Sequence, residues 1–137
     1  MIGRLGEKEV GEYHERGYLF PKPILTPEKC ASLVAGLEKR IAPLRAAYEK
    51  DFPIHLPAKM GDGIHPLESL ILPVVREPAL LSVVESLVSG DVLLRNVDLF
   101  VKEPQTVRGL RWHMDTEYGG DHPAGIVTAW IALTPST

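Results

Sequence analysis

The chain has 137 residues, a length that suits one domain with its own hydrophobic core and is short for two. It is 45% hydrophobic and its formal net charge is −3, which is ordinary for a globular protein and gives no basic surface for nucleic acid. The single cysteine, Cys30, excludes an intrachain disulfide, and no apolar stretch is long enough to span a bilayer. We therefore expect a cytoplasmic protein that binds neither nucleic acid nor membranes.

The first fifty residues predict two helices. "EKEVGEYHERGYLF" predicts a short helix followed by a brief strand at 18–20. Thr26 and Pro27 are typical of the N-terminus of a second helix, with the threonine as N-cap and the proline in the first turn. Pro43 should end or kink that helix. Its apolar residues recur at helical spacing and predict one buried stripe, formed by Cys30, Leu33, Val34, Leu37, Ile41 and Leu44.

The middle of the chain predicts a loop and two further helices. Residues 51–66, "DFPIHLPAKMGDGIHP", are broken by prolines and glycines and predict an irregular loop of the kind that is often functional. A short helix is expected at 67–72. Pro78 then begins another helix, and Gly90 is its expected C-terminal stop.

After Gly90 the pattern changes from helix to strand. "DVLLRNVDLFVKEP" predicts a long strand over 92–102, with second and third strands in "VRGLRWH" and at 125–133. Helices followed by strands favour an α+β fold with an antiparallel sheet. Alternation along the first strand places polar groups on one face, which either meets water or lines a polar pocket. The residues of that face are Asn96, Asp98, Phe100 and Lys102.

His113 and Asp115 form a candidate metal-binding pair in "WHMDTEY". Residues i and i+2 of a strand project to the same side, so an imidazole nitrogen and a carboxylate oxygen could face one point. Two such ligands and a distant histidine make the 2-His-1-carboxylate triad that leaves open positions on Fe(II). A chain of this composition contains roughly 0.2 such motifs by chance, so its context among strands matters more than the motif alone.

Three segments in the second half, "LFVKEP", "WHMDTEY" and "TAWIAL", together resemble the core of the phytanoyl-CoA dioxygenase family of Fe(II)/2-oxoglutarate oxygenases. The N-terminal "GYLFPKPILTPEKCASLVAGLE" is similar to that family's opening strand and helix. The resemblance implies one domain over 1–137, with helices packed on a double-stranded β-helix, or jelly roll. Residues 1–90 would be mainly helical, and 91–137 would supply the first strands of the sheet.

Site residues follow from the resemblance position by position. His113 and Asp115 match iron ligands, and Tyr118 matches a position that lines the substrate cavity. Trp130 matches a residue that lies against 2-oxoglutarate, although the sequence alone favours a core aromatic there, and the two roles do not exclude each other. Lys59 matches, more loosely, a lysine that contacts 2-oxoglutarate. Asp98 lies where the family tends to have an apolar side chain touching the co-substrate, and a carboxylate there is unfavourable unless it is paired.

The resemblance implies an enzyme that uses Fe(II), 2-oxoglutarate and O₂ to hydroxylate a small organic or acyl substrate. A carboxylate at Asp115 fills the position that related halogenases leave open for halide, which favours hydroxylation. The family's distal histidine and the arginine that pairs with 2-oxoglutarate are expected beyond Thr137, in a longer chain. Open sheet edges would then favour self-association.

Two alternatives stay open at this point. The chain could be a catalytically incomplete relative that binds or regulates together with a partner chain. It could also be a small metal-binding fold that uses His113, Asp115 and another ligand such as His122.

Overall fold

A computed structural model gives the fold and describes residues 3–48, 55–58, 67–88, 90–102, 112–113 and 125–135. These ranges contain helices and strands in the order α1 (Glu7–Arg16), α2 (Pro27–Tyr48), β1 (His55–Ala58), α3 (Glu68–Val75), α4 (Pro78–Glu85) and β2 (Val97–Phe100). The double-stranded β-helix stays a prediction, because the single antiparallel pair of short strands in the described ranges neither shows nor excludes it.

The predicted α1 is confirmed, and its two ends show why it forms. The Glu9 carboxylate accepts a hydrogen bond from the Gly6 backbone N–H at 3.0 Å, which satisfies a donor at the helix start. Gly17 ends the helix in the left-handed conformation, with φ of 80°, and donates its N–H to Tyr13. The strand expected at 18–20 is wrong, since those residues lie in no ladder. Pro21 directly follows them and lacks the N–H that a ladder needs.

Helix α2 begins where the sequence predicted, with the Thr26 hydroxyl accepting the Lys29 N–H at 3.3 Å. Of the two outcomes predicted for Pro43, an end of the helix is wrong, because α2 continues through Pro43 to Tyr48, and a kink stays a prediction. Pro43 removes the hydrogen bond to the Lys39 carbonyl, and both residues are exposed. Water can therefore satisfy that carbonyl, and the helix tolerates the proline.

The hydrophobic core is small and lies where α2, α3 and the strand region meet. Leu37, Ile41 and Leu67 are buried, and Leu37 and Ile41 belong to the predicted stripe of α2. Gly36 allows α3 to approach closely, since a Cβ at this position would lie 3.0 Å from a methyl carbon of Leu70. Partly buried side chains pack around this centre: Leu70, Ile71, Leu99, Val101 and Leu133.

Helices α3 and α4 are confirmed with altered ends. Helix α3 runs three residues beyond the predicted 67–72, through Pro73. Helix α4 begins at Pro78 as predicted but ends at Glu85, five residues before Gly90. Ser86 explains the earlier end, because its backbone N–H bonds back to Val83 in a tighter turn while its hydroxyl donates to the Ser82 carbonyl at 2.7 Å.

The segment before α1 and the start of α2 are both tied to α4 and the residues that flank it. The Leu5 N–H donates to the Ser86 hydroxyl at 3.0 Å. Arg4 pairs with Glu85 at 3.4 Å, and the Lys29 ammonium pairs with Glu77 at 2.7 Å. These contacts join the beginning of the chain to its middle.

The two strands form an antiparallel pair in which His55 is opposite Phe100 and Ala58 is opposite Val97. The prediction that 51–66 is wholly irregular is therefore wrong in part, because β1 lies within it. The long strand expected over 92–102 is also shorter than predicted, since only 97–100 are in the ladder. A strand needs a partner, and the ladder begins at Val97, opposite the last residue of β1.

The later strands expected in this region do not appear among the residues that can be assessed. Trp112 and His113 lie in no ladder, and the rest of "VRGLRWH" is outside the described residues. The described segment 125–133 is not in a ladder either. Leu133 nevertheless reaches the core, so this segment is anchored by packing rather than by strand pairing.

Candidate functional site

The polar face of β2 is the part of the predicted site that the structure shows most fully. Leu99 and Val101 point into the core, which leaves Asp98, Phe100 and Lys102 on the opposite face of the strand. Phe100 is 46% exposed and Lys102 is exposed. One face of β2 thus packs on the core, while Phe100 and Lys102 on the other face are accessible to a ligand or to further strands.

Asp98 is half-buried and has a specific partner. Its Oδ2 accepts a hydrogen bond from the Nδ2 amide of Asn96 at 2.8 Å. Asn96 lies two residues earlier, so the two side chains share a face. The amide offsets part of the cost of holding a carboxylate on this face. The sequence had indicated that an acid here needs a partner, but it did not identify Asn96 as that partner.

His113 has an exposed side chain, and the neighbouring Trp112 is fully exposed. An exposed imidazole is accessible to a metal ion, which its ring nitrogen can bind. Asp115 lies outside the described residues, so the expected projection of both side chains to one point stays a prediction. Within the described ranges there is no group of three or more histidine, cysteine, aspartate or glutamate side chains that could hold a metal.

Trp130 is 70% exposed, which excludes the simple core role that the sequence also allowed. Its neighbour Ile131 is half-buried, and Leu133 packs on the core two residues further on. The segment is therefore fixed by its apolar neighbours while the indole faces outward. An exposed indole ring on an anchored segment is available to lie against a ligand.

The remaining predicted site residues lie outside the part of the chain that is described. These are Asp115, Tyr118, Lys59 and the alternative ligand His122. Lys59 directly follows Ala58, the last residue of β1, which is paired with Val97 at the beginning of β2. Only the backbone of β1 is described, so the direction of its side chains stays untested.

An open apolar groove of about 570 Å³ lies between the first turns of α2 and the segment 132–135. The groove is not predictable from local sequence, because it depends on two segments that are about a hundred residues apart in the chain. Among the described residues, no lysine, arginine, histidine, aspartate or glutamate lines it, and its polar side chains are Cys30 and Thr134. The groove shows that the segment after Trp130 lies beside α2. The lining consists of Pro27, Cys30, Ala31, Val34, Ala35, Ala132, Leu133, Thr134 and Pro135.

The profile of the phytanoyl-CoA dioxygenase (PhyH) family matches residues 13–137. The match spans most of the chain, including the H-x-D motif and Trp130, and the protein belongs to this family. Membership supports an oxygenase-type function and confirms the family suggested by the sequence. A search of curated proteins and a search of solved structures each found no significant match. No helix in the described residues combines the length and the apolar character that crossing a bilayer requires.

Proposed function

We propose that this protein is an Fe(II)- and 2-oxoglutarate-dependent dioxygenase that hydroxylates a small organic or acyl substrate. The observation that carries the proposal is the family match over 13–137, which includes His113, Asp115 and Trp130. An accessible polar face on β2 and an exposed indole on an anchored segment are consistent with a co-substrate site in this region.

The donor chemistry fits Fe(II). An imidazole nitrogen at His113 and a carboxylate oxygen at Asp115 are the ligand types of the facial triad, and they leave coordination positions for co-substrate and O₂. In this proposal the third ligand is the family's distal histidine, which is expected outside the described residues. Bound iron would supply the oxidising chemistry, in which 2-oxoglutarate is converted to succinate and CO₂ while the substrate gains a hydroxyl group.

The chain's own residues would bind and orient the co-substrate. In the proposed site the Trp130 ring lies against 2-oxoglutarate, and the Lys59 ammonium offers a positive charge to one of its carboxylates. Asp98 is negatively charged, like the carboxylates of 2-oxoglutarate, so the two would repel each other. In this proposal the hydrogen bond from Asn96 holds the Asp98 carboxylate toward the amide rather than toward the co-substrate. Tyr118 lines the substrate cavity in this proposal.

The test is the consumption of 2-oxoglutarate by the purified full-length protein with Fe(II) and O₂, measured as succinate formed. Acyl-CoA thioesters, amino acids and small osmolytes would be added in turn as substrate classes. We expect His113→Ala and Asp115→Ala to lose the activity, while His14→Ala, on the exposed part of α1, keeps it. Succinate formation that is the same in wild type and in His113→Ala would contradict the proposal.

The alternative of a catalytically incomplete binding module makes a different prediction in the same experiment. A module of this kind would be folded but would form no succinate with any substrate class, and its variants would behave like the wild type. A metal site built with His122 instead would lose metal binding in His122→Ala, which the proposed oxygenase would retain.

A further inference from the structure

The residues between Gly90 and β2 form an exposed apolar run. Leu93 is 89% exposed, Leu94 is 46% exposed and Val92 is 36% exposed. The charged residues on either side, Asp91 and Arg95, are exposed as well. Three consecutive exposed aliphatic side chains are costly to leave in water, and a run of this kind commonly marks a contact surface.

This run has the composition of a strand but lies outside the ladder. The sequence "DVLLRNVDLF" predicts a strand from Val92, and the ladder begins only at Val97, opposite Ala58. Residues 92–94 therefore have side chains typical of a strand, and along the chain they come shortly before β2 without taking part in its ladder. Such a segment is a template for another strand.

We propose that residues 91–95 pair antiparallel with the same residues of a second copy of this chain. The sequence is complementary to itself when the twofold axis passes through Leu93. Leu93 is then opposite its own copy, Val92 is opposite Leu94, and Asp91 is opposite Arg95. The last two pairs each occur twice, so the dimer gains two opposite-charge pairs and an apolar centre.

The Asp91–Arg95 charge pairs also favour one register of the two paired strands. If the strands slip by one residue, Leu93 is opposite Leu94, Asp91 is opposite Asn96 and Arg95 is opposite Val92, so both charge pairs are lost. A slip of one residue also moves every side chain to the other face. The pairing centred on Leu93 is the one that keeps the apolar contacts and the charge pairs together.

The ladder would be short, and this limits its strength. In the proposed register, positions 98–100 of one copy would be opposite positions 86–88 of the other, which follow α4 rather than lie in a strand. Pairing is therefore confined to about five residues of each chain, less than a standard interface buries. We expect a weak dimer whose population rises with protein concentration.

Sedimentation velocity across a wide range of concentrations tests the surface with the full chain. We expect the wild type to shift from monomer to dimer, and Asp91→Lys and Arg95→Glu to weaken the dimer about tenfold each because they place like charges opposite one another. The double variant Asp91→Lys/Arg95→Glu should recover the wild-type behaviour. Glu15→Lys, an exposed charge reversal on α1, is the matched control and should change nothing.

Cysteine cross-linking tests the register in a Cys30→Ser background. Leu93→Cys places two thiols opposite each other at the axis, so it should form a disulfide-linked dimer under mild oxidation much faster than Leu94→Cys. Three results would overturn the proposal: a wild type that is monomeric at all concentrations, a dimer that the charge reversals do not weaken, or equal cross-linking at both positions.

Discussion

Replacement of Leu67 by alanine tests where the stability of this fold comes from. Leu67 is 2% exposed and belongs to the buried cluster at the start of α3, beside Leu37 and Ile41. Its carbonyl accepts hydrogen bonds from the backbones of Leu70 and Ile71 at 3.0 and 3.1 Å. Alanine keeps those backbone bonds, so the substitution removes packing and leaves the helix start intact.

The expected loss can be bounded from the surroundings of Leu67. Leucine-to-alanine substitutions in well-packed cores cost about 2–5 kcal/mol, more where the site cannot collapse. The neighbours of Leu67 include partly exposed side chains that can move inward. We therefore expect a value near the lower end, about 2–3 kcal/mol of unfolding free energy. That is a large part of the roughly 5–15 kcal/mol that stabilises a typical domain.

Urea unfolding followed by circular dichroism measures this change, and Leu93→Ala is the matched control. Leu93 is 89% exposed, so the same chemical change should cost less than about 0.5 kcal/mol at a protein concentration too low for self-association. A loss in Leu93→Ala that equals or exceeds the loss in Leu67→Ala would refute the placement of the core.

Three further predictions concern the acid stability and the co-substrate site. Hydrogen bonding and charge from Lys22, together with the Gly6 N–H, lower the pKa of the Glu9 carboxyl below its usual 4.5. The stability from this carboxylate is present above pH 4.5 and is lost as pH falls through the lower folded-state pKa, so Glu9→Gln should flatten the decline of the melting temperature below pH 4.5. Trp130→Ala should weaken 2-oxoglutarate binding about tenfold, the effect of about 1.4 kcal/mol, yet change stability by less than about 0.5 kcal/mol because the ring is exposed. Asp98→Asn should tighten 2-oxoglutarate binding by about fivefold or less, since it removes a like charge from a partly solvated site.

Each of these predictions has a clear contrary outcome. Melting curves of wild type and Glu9→Gln that stay parallel from pH 7 to pH 3 would show that the Lys22 contact does not stabilise the fold. A Trp130→Ala protein that melts several degrees lower would indicate a buried indole instead of an exposed one. Weaker binding of 2-oxoglutarate to Asp98→Asn, measured by calorimetry, would mean that the carboxylate assists the co-substrate.

The helices were predictable because their signals are local. The threonine and proline at 26 and 27 define the start of α2 within four residues of sequence, and the hydrogen bond from Lys29 to Thr26 is the contact that this pattern predicts. Pro43 shows the limit of a local rule. Whether a proline ends a helix depends on whether the carbonyl that loses its partner can reach water, and here the exposed Lys39 allows it.

The strands were less predictable because pairing is not local. Nothing in "HLPA" indicates that His55–Ala58 pair with a segment forty residues later, and Pro57 argues against a strand. Conversely, 92–96 have strong strand propensity but no partner in the ladder. The same limit applies to the site: the H-x-D motif and Trp130 could be identified from the sequence, but the Asn96–Asp98 hydrogen bond could not, since either side chain could have pointed elsewhere.

Anaerobic calorimetric titration with Fe(II) in the presence of 2-oxoglutarate tests the central claim most directly. The wild type should bind iron at a defined stoichiometry, His113→Ala should lose that binding, and His122→Ala should bind like the wild type. Iron binding that is unchanged by removal of His113, or that is lost on removal of His122, would contradict the assignment of the metal site.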